Sequence, residues 1–234
     1  MRIVLLFLSV LFFNSVFSQV SSVEMRGDFA DAARLGRLQG AEGLPSYSSN
    51  NVRGTRYLTE TWAEGSIVPL KGNTIDSLLV MFDKQDHNIY IKKKQSEQII
   101  LLEKNQVKSF LINNHFFIAG SLLPGGENDR FYEKIAGLDK NISLYKLTIT
   151  KYIKADKTDL ERIAKGNFDD EFKDNIAYYI KNGNQPLQEI RMTEKNIIKA
   201  LPGQEKKIRA YFDDHYNEEL NDQFLIGIIN ILNQ

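Results

Sequence analysis

The chain has 234 residues, 30 Lys+Arg against 30 Asp+Glu, and no cysteine. The charge balance gives no global field to draw in nucleic acid or an acidic membrane surface. The missing cysteines exclude disulfides, a thiolate nucleophile and Cys-ligated metal. With 42% hydrophobic and 26% charged residues, the composition is that of a folded globule with a real core.

Residues 1–18, MRIVLLFLSVLFFNSVFS, have the layout of a secretory signal peptide. Arg2 forms a positive start, Ile3 to Phe13 an apolar run, and Val16 and Ser18 offer small residues before a cut at Gln19. The run is too short to span a bilayer. The expected location is therefore outside the cytoplasm, periplasmic or extracellular, as a soluble protein. There is no cysteine to carry a lipoprotein anchor. Later in the chain the longest apolar stretch, Phe224 to Leu232, is half a bilayer crossing and reads as a buried helix, so no transmembrane span is expected after cleavage.

Residues 19–54 are rich in Gly and polar residues and read as a flexible leader, although DFADAARLGRL can form two helical turns. From residue 55 the period becomes two. Tyr57, Thr59 and Thr61 alternate with Leu58, Glu60 and Trp62, and a turn is expected at Glu64-Gly65. Strands follow at Ser66–Leu70, Ile75–Phe82, Asn88–Lys92, Gln98–Leu102, Val107–Ile112 and His115–Ile118. A Pro-Gly loop spans residues 123–129. Hairpins are expected at 131–153, around Gly137-Leu138-Asp139-Lys140, and at 175–192, around Asn182-Gly183-Asn184. Residues 156–173 read as a charged excursion. In 193–234 the period changes to helical. Thr193 caps a first helix, Pro202-Gly203 ends it, a second starts near Gln204, and Asn221 or Asp222 caps a third.

The expected fold class is thus mainly β with C-terminal helices (α+β). An antiparallel meander over 55–192, curved or rolled, is covered by two or three short helices from 193–234. The alternative is two lobes divided at 123–129.

The blocks YLTETWAEGSIVPLKGN, LLVMFDKQDHNIYI and ILLEKNQVKSFLI resemble the opening of a set of secreted proteins from Bacteroidetes-type bacteria. FYEKIAGLDKNISLYKLTITKYIKA and AYYIKNGNQPLQEIRMTEKNIIKAL are similar to its later blocks. The resemblance covers residues 55–234 and implies location and architecture, but no activity.

Motifs that carry chemistry are absent. His87, His115 and His215 lack the spacing of a zinc site and read as surface polar residues. The acidic runs at 169–171 and 213–219 lack the order of a calcium loop. There is no G-x-S-x-G, and Gly125-Gly126 has no helix behind it to cradle phosphate. No catalytic residue, cofactor or metal ligand is therefore assigned. The residues offered as ligand or partner contacts are Trp62, Tyr57 and Tyr90, aromatics at strand spacing. Trp62 is expected to be mostly buried near the end of a sheet. The function expected is a non-enzymatic binding or structural component of the envelope, with an envelope protein or a glycan as partner. The alternative is a secreted hydrolase working through carboxylates dispersed in sequence, which requires them to converge in a cleft.

Overall fold

The computed structural model describes residues 30–39, 44, 52–155 and 169–234. Residues 1–18, expected as a signal peptide, and most of residues 19–54 and 156–173 lie outside these residues. What is described is one large, mainly antiparallel sheet with three C-terminal helices, as the patterning predicted.

Twelve strands form the sheet: β1 (Gly36–Leu38), β2 (Val52–Arg53), β3 (Ala63–Pro69), β4 (Ile75–Asp83), β5 (Asn88–Lys92), β6 (Ile100–Leu102), β7 (Val107–Ile112), β8 (His115–Ala119), β9 (Phe131–Ala136), β10 (Ile142–Ile153), β11 (Asp170–Asn182) and β12 (Gln188–Ile190). Their order is β1-β6-β5-β4-β3-β7-β8-β9-β10-β11-β12, with β2 beside β11 in the one parallel pairing. β8 pairs directly with β9 across the 123–129 loop, so two lobes do not form. Tight reversals join neighbouring strands. At Gly137 (φ +72°) the β9–β10 turn leaves no room for a Cβ against the Ile142 carbonyl.

Two expectations fail at the N-terminal side. Residues 30–34 form a helical turn, Ala32 is fully buried, and β1 pairs with β6. This part of the leader is built into the fold, because an apolar side of the short helix covers core that β4–β6 leave open. Residues 57–62 do not form a strand. Tyr57 makes a single bridge to Asp83, residues 58–61 bend, and β3 begins only at Ala63. Glu64-Gly65, expected as a turn, lies inside β3. β11 is longer than expected, reaching back to Asp170 because β10 supplies a partner along its whole length.

The sheet has two faces. Alternation puts Ile67, Val80, Phe82, Phe110, Phe117 and Phe131 into one core. Its centre is aromatic: Phe110 stacks on Phe117 at 4.7 Å, and Phe82 lies 4.9 Å from Phe117. On the same face, Ile142, Leu144 and Ile180 pack under the helices. The opposite face carries two smaller clusters, one around Tyr132, Tyr145 and Leu147 and one around Met81, Tyr90 and Leu101.

The sheet does not close, but its gap is bridged. β9 pairs with only the first half of β10, at Leu144–Lys146. Along the second half, the turn after β4 takes its place: Thr150 N–H donates to the Lys84 carbonyl at 3.2 Å, and the His87 ring bonds the Thr148 carbonyl at 3.1 Å. Lys84 also pairs with Asp174 on β11 at 2.7 Å.

The helices are α1 (Glu194–Ala200), α2 (Glu205–Asp214) and α3 (Asp222–Leu232). Thr193 caps α1 by accepting from Asn196 N–H, and Asn221 caps α3 by accepting from Gln223 and Phe224 N–H. α2 packs close to α3, where Gly227 faces the Tyr211 ring. The end of α3 is tied to the sheet by Asn233. Its amide donates to the Ile142 carbonyl at 2.8 Å and accepts from Ile142 N–H at 3.2 Å. Asn233→Ala strips both partners from a part-buried backbone unit, and a loss of about 1–2 kcal/mol is expected in urea denaturation.

Candidate functional site

Tyr57, Trp62 and Tyr90 come together on the outer face of the β4–β6 region. The route differs from the one the sequence suggests. Strict alternation would have put Leu58 and Trp62 on one side and Tyr57 on the other. Because residues 58–61 bend, Leu58 packs into the main core while Tyr57 and Trp62 both reach the outer cluster. The bend is held by Thr59, whose hydroxyl donates to the Thr61 carbonyl at 2.8 Å.

Tyr90 is the buried floor of this cluster, beside Met81 and Leu101. Burial pushes its phenol up. Tyr57 is half-buried, and burial raises its phenol as well, despite the opposing pull of Arg56. Trp62 is largely buried, as expected, though part of its surface stays open. No regular strand pairing draws it inward, since it sits just before β3. The Lys92 ammonium lies over the Trp62 ring, 5.0 Å from its centroid. The cluster is therefore an indole supported from behind by Met81 and Tyr90, covered in part by a lysine. Trp62→Ala is expected to cost about 2 kcal/mol in chemical unfolding, below the 3–5 kcal/mol range for deleting a fully buried tryptophan.

A second group of polar side chains lies on the core face, in the seam between the aromatic core and the helix-covered core. His115 Nδ1 is 2.6 Å from Glu133. Lys146 reaches Glu133 at 3.1 Å and Asp222 at 2.8 Å, and the Tyr178 hydroxyl donates to Asp222. Burial disfavours the Lys146 charge, but Asp222 and Glu133 outweigh it and leave the ammonium raised. Burial likewise raises Asp222, but the hydrogen bonds from Lys146 and Tyr178 carry it below the usual carboxylate range. The chain of bonds pins the start of α3 to β9, β10 and β11.

Sequence reasoning missed the third group. His87 was read as a surface residue, yet it is fully buried. It stands in the left-handed region (φ +55°), edge-on to Phe82 at 5.3 Å. Phe131 N–H donates to its Nδ1 at 3.0 Å, so Nε2 carries the proton bonded to the Thr148 carbonyl. Burial, with Arg130 and Lys104 nearby, pushes its pKa down to about 3. Beside it, Arg56 and Asp83 form a buried bidentate pair, with the Asp83–Arg56 Nε contact at 3.1 Å. Asp83 also accepts from Gln85 N–H at 2.9 Å. The one sequence signal was the spacing of acidic and basic residues in DKQDH, which a solvated turn would carry equally well.

The hydrolase alternative needs converging carboxylates in a cleft. Two open grooves each hold a pair. One of about 310 Å³ has Glu103 and Asp129, and one of about 630 Å³ has Glu64 and Asp76. Glu64 is exposed, and its hydrogen bond to Lys94 pulls its carboxyl down, the opposite of what a general acid requires. Among the described residues no group of three His, Cys, Asp or Glu is placed to hold a metal ion, and no helix is long and apolar enough to cross a membrane. The chain matches no family model, no curated protein and no solved structure.

Proposed function

We propose that this chain is an exported, non-enzymatic binding component of the cell envelope, akin to the Bacteroidetes-type secreted set, with Trp62 and its neighbours as the contact face. The export part is supported by residues 1–18, with their charged start, apolar run and small residues before Gln19. The observation that carries the binding part is the partly open indole of Trp62, backed by Met81 and Tyr90. An aromatic ring held from behind offers flat apolar area at little entropic cost on binding, which suits the face of a sugar ring. No comparable observation favours the hydrolase.

Two measurements test this. N-terminal sequencing of protein recovered from the periplasm or medium should begin at Gln19; a chain retaining residues 1–18 in the cytoplasm would refute export. Trp62 is the single tryptophan, so its emission reports on the proposed face alone. Titration with a panel of envelope glycans should shift that emission saturably for at least one of them. A panel that leaves both the emission and calorimetric heats unchanged would remove Trp62 as a glycan contact.

A further inference from the structure

We infer that the ligand of the Trp62 face is an acidic glycan, a chain of uronic-acid sugars whose carboxylate pairs with Lys92 while a sugar ring stacks on Trp62. The inference rests on the binding reading above and adds the charge of the ligand. It starts from the different situations of neighbouring lysines. Lys94 is engaged by Glu64 at 2.5 Å. Lys92 instead rests its ammonium on the Trp62 ring, 5.0 Å from its centroid, and makes no salt bridge among the described residues. An indole holds a cation less strongly than a charge-assisted hydrogen bond does, so the ammonium leaves the ring when such a partner arrives. A carboxylate is such a partner. As the Lys92 arm swings to meet it, the indole face is uncovered for stacking.

The same geometry discriminates between ligands. A cationic ligand meets the Lys92 ammonium at the ring and is repelled. A neutral sugar must displace the ammonium without compensation. A phosphate group draws on bidentate arginine or clusters of backbone N–H groups. Arg56, next to Tyr57, is buried and paired with Asp83, and a single ammonium on a flexible stem fits a single carboxylate.

The test uses three probes on the full chain: tri-galacturonate, its fully methyl-esterified form, and sodium acetate. Binding is read by Trp62 emission and calorimetry. Tri-galacturonate should bind saturably, and the ester about fivefold or more weaker, the upper end for an exposed ion pair. Lys92→Met keeps the apolar stem and removes the charge. It should bind acid and ester alike, with unchanged thermal unfolding, and Trp62→Phe should weaken both. Equal binding of acid and ester by the native protein would overturn the charged-ligand inference while leaving the binding face standing. Acetate competing as well as the trisaccharide at equal carboxylate would overturn the glycan. No binding of any probe would overturn the inference, and the binding face itself would fall only if the wider glycan panel were also silent.

Discussion

Asp83→Ala should lower the stability of the folded protein by about 3–5 kcal/mol, the range for removing one partner of a buried ion pair. Asp83 is fully buried, and its carboxylate meets Arg56 through two nitrogens while also accepting Gln85 N–H and, at 3.4 Å, Asp86 N–H. Truncation takes the fully buried carboxylate away from the Arg56 guanidinium and leaves the more exposed Asp86 carboxylate, 2.6 Å away, beside it. It also strips the turn that docks on β10. Urea denaturation followed by far-UV circular dichroism measures the loss. Asp86→Ala is the control. Asp86 contributes a solvated carboxylate, and its removal should cost less than about 1 kcal/mol. Equal effects of the two substitutions would show that the buried pair is not what secures this turn.

His87 should make the protein sensitive to acid. Its folded pKa lies near 3, well below the ordinary histidine value of 6.5. The unfolded chain therefore binds a proton more readily than the native one. The contribution to stability is fully present above pH 6.5 and declines as pH falls toward the folded pKa. At about 1.4 kcal/mol per pH unit, the loss from pH 7 to pH 4 attributable to His87 is roughly 3 kcal/mol. The physical event is protonation of Nδ1, which then offers a second N–H to the Phe131 N–H that now donates to it. Urea midpoints at pH 7, 5.5 and 4 should fall along this curve. His87→Asn tolerates the left-handed backbone and cannot titrate. It should be less stable at pH 7 by about 2 kcal/mol, through the lost ring contact with Phe82 and the loss of one of the two ring bonds. Its further loss on acidification should be smaller. Parallel curves for the two proteins would show that His87 does not control acid stability.

Much of the fold was legible because periodicity reports burial directly. Ile75 to Phe82 is strongly apolar, and Leu78, Val80 and Phe82 alternate into the main core. The Asn-Gly turn at 182–183 joins β11 to β12, and Thr193 and Asn221 cap helices, each by a local rule that needs no distant partner. The same locality misled at 57–62. A short alternating run is only half of a strand; the other half is a neighbour along its length, and β4 gives this segment one bridge at Tyr57. At Gly36–Leu38 the converse holds: glycines weaken a strand in isolation, but β6 offers an edge for this part of the leader.

The sequence by itself determined most of the strands from β4 onward and the switch from strand to helix at Thr193; that Tyr57 joins Trp62 and Tyr90 came from the bend at 58–61. Only the tertiary structure decided which polar residues went inside. Asp83 and His87 stand in DKQDH like the members of any exposed turn, and what buries them is β10, some sixty residues later, whose second half lacks a strand neighbour and accepts that turn instead. Burial of a polar group depends on whether partners wait for its hydrogen bonds. Thr148 and Phe131 provide those partners for His87, and Arg56 provides them for Asp83, from positions no local pattern connects to this turn. Trp62 is the mirror case: a large apolar side chain that local pattern would bury completely keeps part of its surface open, because the bend before β3 places it at the margin of the sheet.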